Sequence, residues 1–177
     1  PIYMWVLDIW PDAMTSGGGI KNKRILSFMN NRVKGIYNSC HKILISSKRM
    51  SDSILSKGDF KDKIIYFPNW AEKIFENPTY KEIPELPTGY RIMIAGNLGK
   101  SQNFETIMKA ISLLKETEIK WILIGDGSQK KWIEEYIEEN NLKNCVFLLG
   151  KFPIEFIPSF YSKTDALLFS LKNTFPH

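Results

Sequence analysis

Two glycine turns carry the chemistry that is easiest to read in this sequence. Gly96-Asn-Leu-Gly-Lys-Ser101 and Gly125-Asp-Gly127 each follow a short apolar run and precede an amphipathic stretch. A β-branched run that ends in glycine and feeds a helix leaves bare backbone N–H groups at the mouth of that helix. The helix dipole favours an anion there, a phosphate above all. Spacing removes two familiar versions of such a site. A phosphate-binding P-loop needs a glycine five positions before Gly99, where Ile94 stands, and the dinucleotide fingerprint needs a third glycine where Lys130 stands. A plain strand-to-helix connection accounts for either turn alone, and recurrence in adjacent units is what favours nucleotide binding.

The second chemical feature is the loop Asp8-Ile-Trp-Pro-Asp-Ala-Met-Thr-Ser-Gly-Gly-Gly19. Asp8 falls near the carboxyl end of an apolar run, the edge at which open α/β sheets place ligands. Three consecutive glycines let a ligand approach the backbone, although Asp8 and Asp12 also suit ordinary turns. Other constellations are missing. His41 and His177 have no Cys or carboxylate at metal-ligand spacing, so no metal site is expected, and no Gly-x-Ser-x-Gly elbow occurs. The aromatics Phe147, Phe152, Phe156, Phe160 and Tyr161 read as core and interface residues, not as a base-stacking platform.

Positioning these residues requires a globular core, and a 177-residue chain that is 44% hydrophobic can build one. Lys and Arg number 24 against 19 Asp and Glu, which favours an anionic partner. Nucleic acid is not expected, because Lys and Glu mix through stretches such as 130–139 as on a solvated helix face. Residues 21–34 differ. On a helix, Ile25, Leu26, Met29, Val33 and Ile36 form one apolar stripe flanked by Lys21, Lys23, Arg24, Arg32 and Lys34 without an acid. Such a helix either packs on a core with a cationic outer face or leans on a membrane surface. Cys40 and Cys145 read as reduced core thiols, which with the lack of a membrane span or signal segment predicts a cytoplasmic protein.

Apolar runs at 3–9, 42–46, 63–67, 91–95, 121–124, 146–149 and 166–171 predict strands, and the periodicity between them predicts helices at 20–38, 48–57, 104–115, 129–140 and 154–162. Such alternation predicts α/β architecture with parallel sheets covered on both faces. The rhythm breaks at Pro68, Pro78, Pro84 and Pro87, which predicts a linker over 69–89 between two incomplete Rossmann-like units, 1–68 and 90–177.

Taken in order, Asp8-Ile-Trp-Pro-Asp12, Phe67-Pro-Asn-Trp-Ala-Glu72, Gly96-Asn-Leu-Gly-x-x-Gln102, Ile124-Gly-Asp-Gly127, Val146-Phe-Leu-Leu-Gly150 and Asp165-Ala-Leu-Leu-Phe-Ser-Leu171 resemble the family-four retaining glycosyltransferases of the GT-B fold. The resemblance is closest to bacterial polysaccharide enzymes of the N-acetyl-fucosamine transferase type, and it covers nearly the whole chain. It implies two facing Rossmann-like domains, the first for the acceptor and the second for a nucleotide-sugar donor. By position, Gly96, Asn97, Leu98 and Gly99 would form the donor diphosphate turn, with Asp126 and Gly127 near the cleft and Lys151 and Phe152 beside the base. Asp8 would orient or deprotonate the acceptor hydroxyl.

The family commonly has Arg and Lys where this sequence has Asn97 and Gln102, which leaves Lys100 as the candidate cation. Transfer would retain anomeric configuration and need neither metal nor cofactor, from a donor guessed to be a UDP-sugar to a glycan or polyprenyl-diphosphate-linked acceptor, with possible peripheral membrane contact. The family's paired glutamates should follow the last strand, and no Glu occurs after Glu155. The chain is therefore expected to be an internal fragment, inactive by itself. A nucleotide-sugar epimerase, a P-loop-type nucleotide hydrolase and a non-catalytic nucleotide-binding remnant are the alternatives.

Overall fold

The computed structural model describes residues 1–16, 20 and 22–172. Gly17, Gly18 and Gly19 of the amino-terminal loop, Lys21 of the cationic stretch, and 173–177 lie outside them. The chain divides into two compact units, Pro1–Trp70 and Ala71–Lys172.

In the first unit the strands β1 (Tyr3–Val6), β2 (Lys42–Ile45) and β3 (Ile64–Tyr66) form a parallel sheet in that order. Helix α1 (Asp12–Ser16) interrupts the loop after β1, α2 (Lys23–Ser39) joins β1 to β2, and α3 (Met50–Leu55) follows β2. Alternation along the strands sends Val6, Ile43 and Ile45 to one face, where they pack with Tyr37, Ile54 and Phe60. The other face keeps Tyr3, Trp5, Leu7, Ile65 and Phe67 exposed. A sheet covered on both faces was the expectation, and among the described residues this one carries its helices on a single side.

Helix α2 starts where Asn22 caps it, its Oδ1 accepting the Arg24 N–H at 2.9 Å. Its apolar stripe splits in the structure. Tyr37 is buried and Val33 packs beside it, while Ile25, Phe28 and Ile36 are 45%, 66% and 50% exposed. The stripe drawn from sequence was therefore set too wide: the face that meets the core is centred near Val33 and Tyr37, about 100° around the helix from Ile25 and Ile36. Asp12, at the start of α1, meets the buried Lys57 ammonium at 3.0 Å, and the same ammonium donates to Asn30 Oδ1 at 3.2 Å. This group ties α1 to α2 and to the chain after α3.

The second unit has a four-stranded parallel sheet in the order β6-β5-β4-β7, built from β4 (Tyr90–Ala95), β5 (Ile119–Ile124), β6 (Val146–Gly150) and β7 (Ala166–Leu167). Central β5 shows why its sequence is a continuous apolar run. Trp121 and Leu123 face a core shared with α5 (Phe104–Leu113) and α6 (Lys130–Glu139), and Ile122 and Ile124 face a second core with Met93 and Phe160. The segment read as a linker contributes to that second core through Ile83 and Leu86, and it contains a one-turn helix, α4 (Lys73–Glu76). Proline content hid this, because an extended segment packed on a sheet has no helical or strand period to read. Helix α7 (Ile157–Tyr161) completes the second face, entered through a 3-10 turn at Ile154–Phe156.

Cys40 and Cys145 are free and buried, as expected of core thiols. Burial pushes the Tyr37 phenol up, with Asp12 and Cys40 adding to the effect, and burial likewise raises the Cys145 thiol. Both folded-state values lie above the unfolded ones, so the folded chain holds these protons after the unfolded chain has lost them. Their stabilisation is complete below the unfolded values of 9.0 for the thiol and 10.0 for the phenol, and it is lost as pH rises above them. Thermal unfolding midpoints are accordingly expected to fall as pH rises above 9.0. Tyr37→Phe is expected to flatten that fall, and an unchanged pH profile in this variant would count against the assignment.

Candidate functional site

The site is built where three parallel strands end side by side. Directly beyond β4, β5 and β6 the chain lines a cavity of about 630 Å³ with Gly96 and Asn97, Gly125 and Asp126, and Lys151, Phe152 and Pro153. Ile154, Ile157 and Tyr161 come from the 3-10 turn and α7, and Phe75 comes from α4. One side of the cavity is thus backbone and polar, and the other is apolar and aromatic. A volume of this size suits a nucleotide-sized ligand, since small-molecule pockets span roughly 300–1,000 Å³.

The two glycine turns have different tasks. At Gly125, with φ +144°, a Cβ would overlap the Gly96 carbonyl oxygen, and at Gly127, with φ +156°, it would stand 2.6 Å from both Asn97 Oδ1 and the Leu98 carbonyl oxygen. These glycines exist because the second turn lies directly against the first. Gly96 itself has φ +143° and open space where its Cβ would be. It is glycine for its backbone conformation.

Hydrogen bonds lock the first turn. The Gly96 N–H donates to the Ile124 carbonyl at 2.9 Å, the Leu98 N–H to the Asp126 carbonyl at 2.8 Å, and the Gln129 N–H to the Leu98 carbonyl at 2.8 Å. The Gly125 N–H donates to the Gly150 carbonyl at 2.8 Å, and the Gly127 N–H to Asp126 Oδ1 at 2.8 Å. Among the described residues the N–H groups of Asn97 and Gly99 donate to nothing. Asn97 is exposed and lines the cavity, whereas Gly99 is buried and does not, so the Asn97 N–H is the donor the turn offers an anion there.

The expected residues are sorted accordingly. Gly96, Asn97, Asp126, Lys151 and Phe152 line the cavity. Leu98 does not: it is fully buried among Ile94, Phe104, Ile107 and Leu123, and its own N–H and carbonyl are both engaged. It anchors the turn from beneath. Gly99, Lys100, Gln102 and Gly127 are also outside the lining, and Gln102 Oε1 accepts the Ser101 hydroxyl at 3.0 Å. Lys151 is on the cavity wall and Lys100 is not. Asp8 lies exposed two residues beyond β1, in the other unit.

Sequence reasoning missed the aromatic wall. Phe75 and Tyr161 stack with centroids 5.8 Å apart and planes 22° apart. From sequence Tyr161 reads as a core or interface residue, and no local pattern marks Phe75, because the contact joins positions far apart in the chain. Burial raises the Tyr161 phenol above its ordinary value, so it stays protonated and able to donate a hydrogen bond through the physiological range. Phe152 packs edge-on against buried Phe160 at 4.7 Å, which holds that end of the wall. Among the described residues no group of three or more His, Cys, Asp or Glu could hold a metal ion.

Residues 76–177, more than half of the chain, fit the family described as glycosyl transferases group 1. The chain belongs to this family. Among curated relatives, a probable glycosyltransferase WbjE of Pseudomonas aeruginosa is 24% identical over 162 residues, which cover 86% of this chain and 40% of the relative. A putative colanic acid biosynthesis glycosyl transferase, WcaI of Escherichia coli K12, is 26% identical over 62% of this chain and 28% of its own length. An N-acetylgalactosaminyltransferase of Campylobacter jejuni, named for a diphospho-undecaprenol-linked acceptor, is 28% identical over 70% of this chain and 36% of the relative.

This group 1 glycosyl transferase chain therefore spans well under half the length of the curated relatives it matches. Its fold recurs in Anabaena HepE, solved with UDP-glucose, at a TM-score of 0.72 and 16% identity over 97% of this chain and 47% of that one. It recurs also in TarM at a TM-score of 0.66 and 16% identity, over 94% of this chain and 31% of that one. These likenesses establish the parallel-sheet α/β architecture of GT-B glycosyltransferases, with incomplete Rossmann-like units.

Proposed function

We propose that the second unit binds the nucleotide-sugar donor of a glycosyltransferase of bacterial surface polysaccharide synthesis. In this reading the donor is a UDP-sugar and the acceptor a glycan or polyprenyl-diphosphate-linked saccharide. The observation that carries the reading is the cavity at the ends of β4, β5 and β6, which sets a turn with an unengaged N–H donor, that of Asn97, against an aromatic wall. A diphosphate needs the former and a planar base the latter. The UDP in HepE and the diphospho-undecaprenol in the name of the Campylobacter relative support the donor and acceptor classes.

The diphosphate would sit at the N–H of Asn97 with Lys151 screening its charge, and the base would lie beside Phe152. Departure of the nucleoside diphosphate is then assisted by fixed dipoles and a cation, with retention at the anomeric carbon and without a metal. Residues 1–68 would belong to the acceptor side, where Asp8 orients or deprotonates the attacking hydroxyl.

Calorimetric titration of this chain with UDP, GDP and ADP tests the donor assignment. UDP is expected to bind best. Lys151→Ala is expected to weaken it about fivefold or more, against little change for Lys100→Ala, because only a cation on the wall interacts with the bound anion at short range. Loss of a stacking ring in Phe75→Ala is expected to cost a similar factor. Absence of binding by all three nucleotides would sink the assignment. In the whole enzyme, an anomeric product inverted relative to the donor would contradict retention, and activity abolished by a chelator and restored by a divalent ion would contradict metal independence.

A further inference from the structure

A second cavity, of about 440 Å³, lies in the first unit and is lined only by polar residues: Asp12 of α1, Asn30, Asn31 and Lys34 of α2, and Ser56 and Lys57 just after α3. No strand end contributes to it, which separates it from the edge at which Asp8 stands. The hydrogen bonds already made by this lining restrict what can occupy it. The Lys57 side chain is 7% exposed, and its ammonium places two of its three donors on Asp12 Oδ2 at 3.0 Å and Asn30 Oδ1 at 3.2 Å. That pairing neutralises Asp12 and takes the carbonyl end of Asn30, whose amide end remains to donate. Lys34 reaches toward the same stretch of chain, its Cε standing 3.6 Å from where a Cβ on Gly58 would be. Among the described residues the side chains of Lys34 and Asn31 have no hydrogen bond or ion pair. The Ser56 hydroxyl donates to the Ser53 carbonyl at 2.7 Å, so it offers only its lone pairs.

We infer that this cavity binds a small phosphorylated sugar, a ligand separate from the nucleotide-sugar of the second unit. The phosphoryl group answers the donors, which are the ammonium groups of Lys34 and Lys57 and the amides of Asn30 and Asn31, the ammonium groups giving the stronger, charge-assisted bonds. A sugar hydroxyl answers the Ser56 lone pairs, for which a fully ionised phosphate has no donor. An apolar ligand finds no matching surface here, and a neutral sugar leaves the positive charge of Lys34 unmatched. The volume falls within the range of small-molecule pockets, roughly 300–1,000 Å³. Because the walls come from α1, α2 and the chain after α3, an occupant ties the three together and stabilises the folded first unit by mass action.

Calorimetric titration of the 177-residue chain with glucose 6-phosphate, inorganic phosphate and glucose tests the site. Glucose 6-phosphate is expected to bind and to raise the unfolding temperature, inorganic phosphate to bind about fivefold or more weakly, and glucose to give no measurable heat. Lys34 and Asn31 are exposed, so Lys34→Glu and Asn31→Asp should leave the circular dichroism spectrum unchanged. Each is expected to weaken glucose 6-phosphate about tenfold or more, whereas Lys34→Arg keeps most of the affinity. UDP affinity is expected to match the wild type in all three variants, and saturating UDP to leave the glucose 6-phosphate titration unchanged, because the donor cavity lies in the other unit. A wild-type chain that ignores glucose 6-phosphate overturns the proposal, as does one that binds inorganic phosphate or glucose equally well. Displacement of glucose 6-phosphate by UDP, or wild-type affinity in a folded Lys34→Glu or Asn31→Asp chain, overturns it too. The inference does not depend on the donor reading: a chain that binds glucose 6-phosphate but no nucleotide would sink that reading and keep this one.

Discussion

Gly125→Ala is expected to destabilise the second unit by about 3 kcal/mol or more and to abolish nucleotide binding. Two costs add at this position. The backbone stands at φ +144°, which side chains of L-residues rarely adopt, and the added methyl would overlap the carbonyl oxygen of Gly96. That neighbour is backbone, and its own N–H is held by Ile124, so it cannot swing aside as a flexible side chain would. Relief requires the two turns to separate, which breaks the bonds from Leu98 to Asp126 and from Gln129 to Leu98.

Gly96→Ala supplies the control. It has nearly the same φ, +143°, but nothing within reach of a Cβ, so it should cost only the conformational strain of about 1–3 kcal/mol. Denaturant unfolding and UDP titration of both variants read the difference. Equal losses would show that conformation alone matters and that the packing of turn on turn does not.

Leu98→Ala is expected to cost about 2–5 kcal/mol and to weaken UDP although the side chain touches no ligand. Leu98 is completely buried among residues of β4, β5 and α5, and truncating it leaves a cavity directly beneath the turn. The N–H of Asn97 precedes it in sequence, so the aim of that donor depends on where the Leu98 backbone sits. A loosened turn presents its donor over a wider range of directions and loses affinity through lost preorganisation. Chemical denaturation gives the stability loss, and titration at a temperature where the variant remains folded gives the binding loss. Full UDP affinity in a folded Leu98→Ala chain would place the diphosphate elsewhere.

These two positions also show how far sequence reasoning reached. The spacing of Gly96 and Gly125 after apolar runs located both turns at strand ends, because strand periodicity and glycine punctuation are local and survive in one dimension. The resemblance assigned the diphosphate to the Gly96 turn alone, but the physical reason for Gly125 was not legible. That Gly125 is glycine to let Gly96 pass, and not to admit a phosphate, depends on β4 and β5 lying side by side in register from Tyr90 opposite Ile119 to Ala95 opposite Ile124. Leu98 was grouped with the ligand-binding residues of its turn because a motif records neighbours along the chain and not the direction of a side chain.

Sequence by itself determined the α/β alternation, the seven strands and the order of the motifs that place this chain among the group 1 glycosyl transferases. Each of these rests on patterns a few residues long, where pleat, helical turn and glycine conformation leave a direct imprint. Tertiary structure alone decided the aromatic wall of Phe75 and Tyr161, the inward turn of Leu98, the packing of Ile83 and Leu86 from a proline-rich segment, and which side of α2 remains in water. Each of these depends on contacts between residues far apart in the chain, where burial is set by what the fold brings opposite and not by the residue's own neighbours.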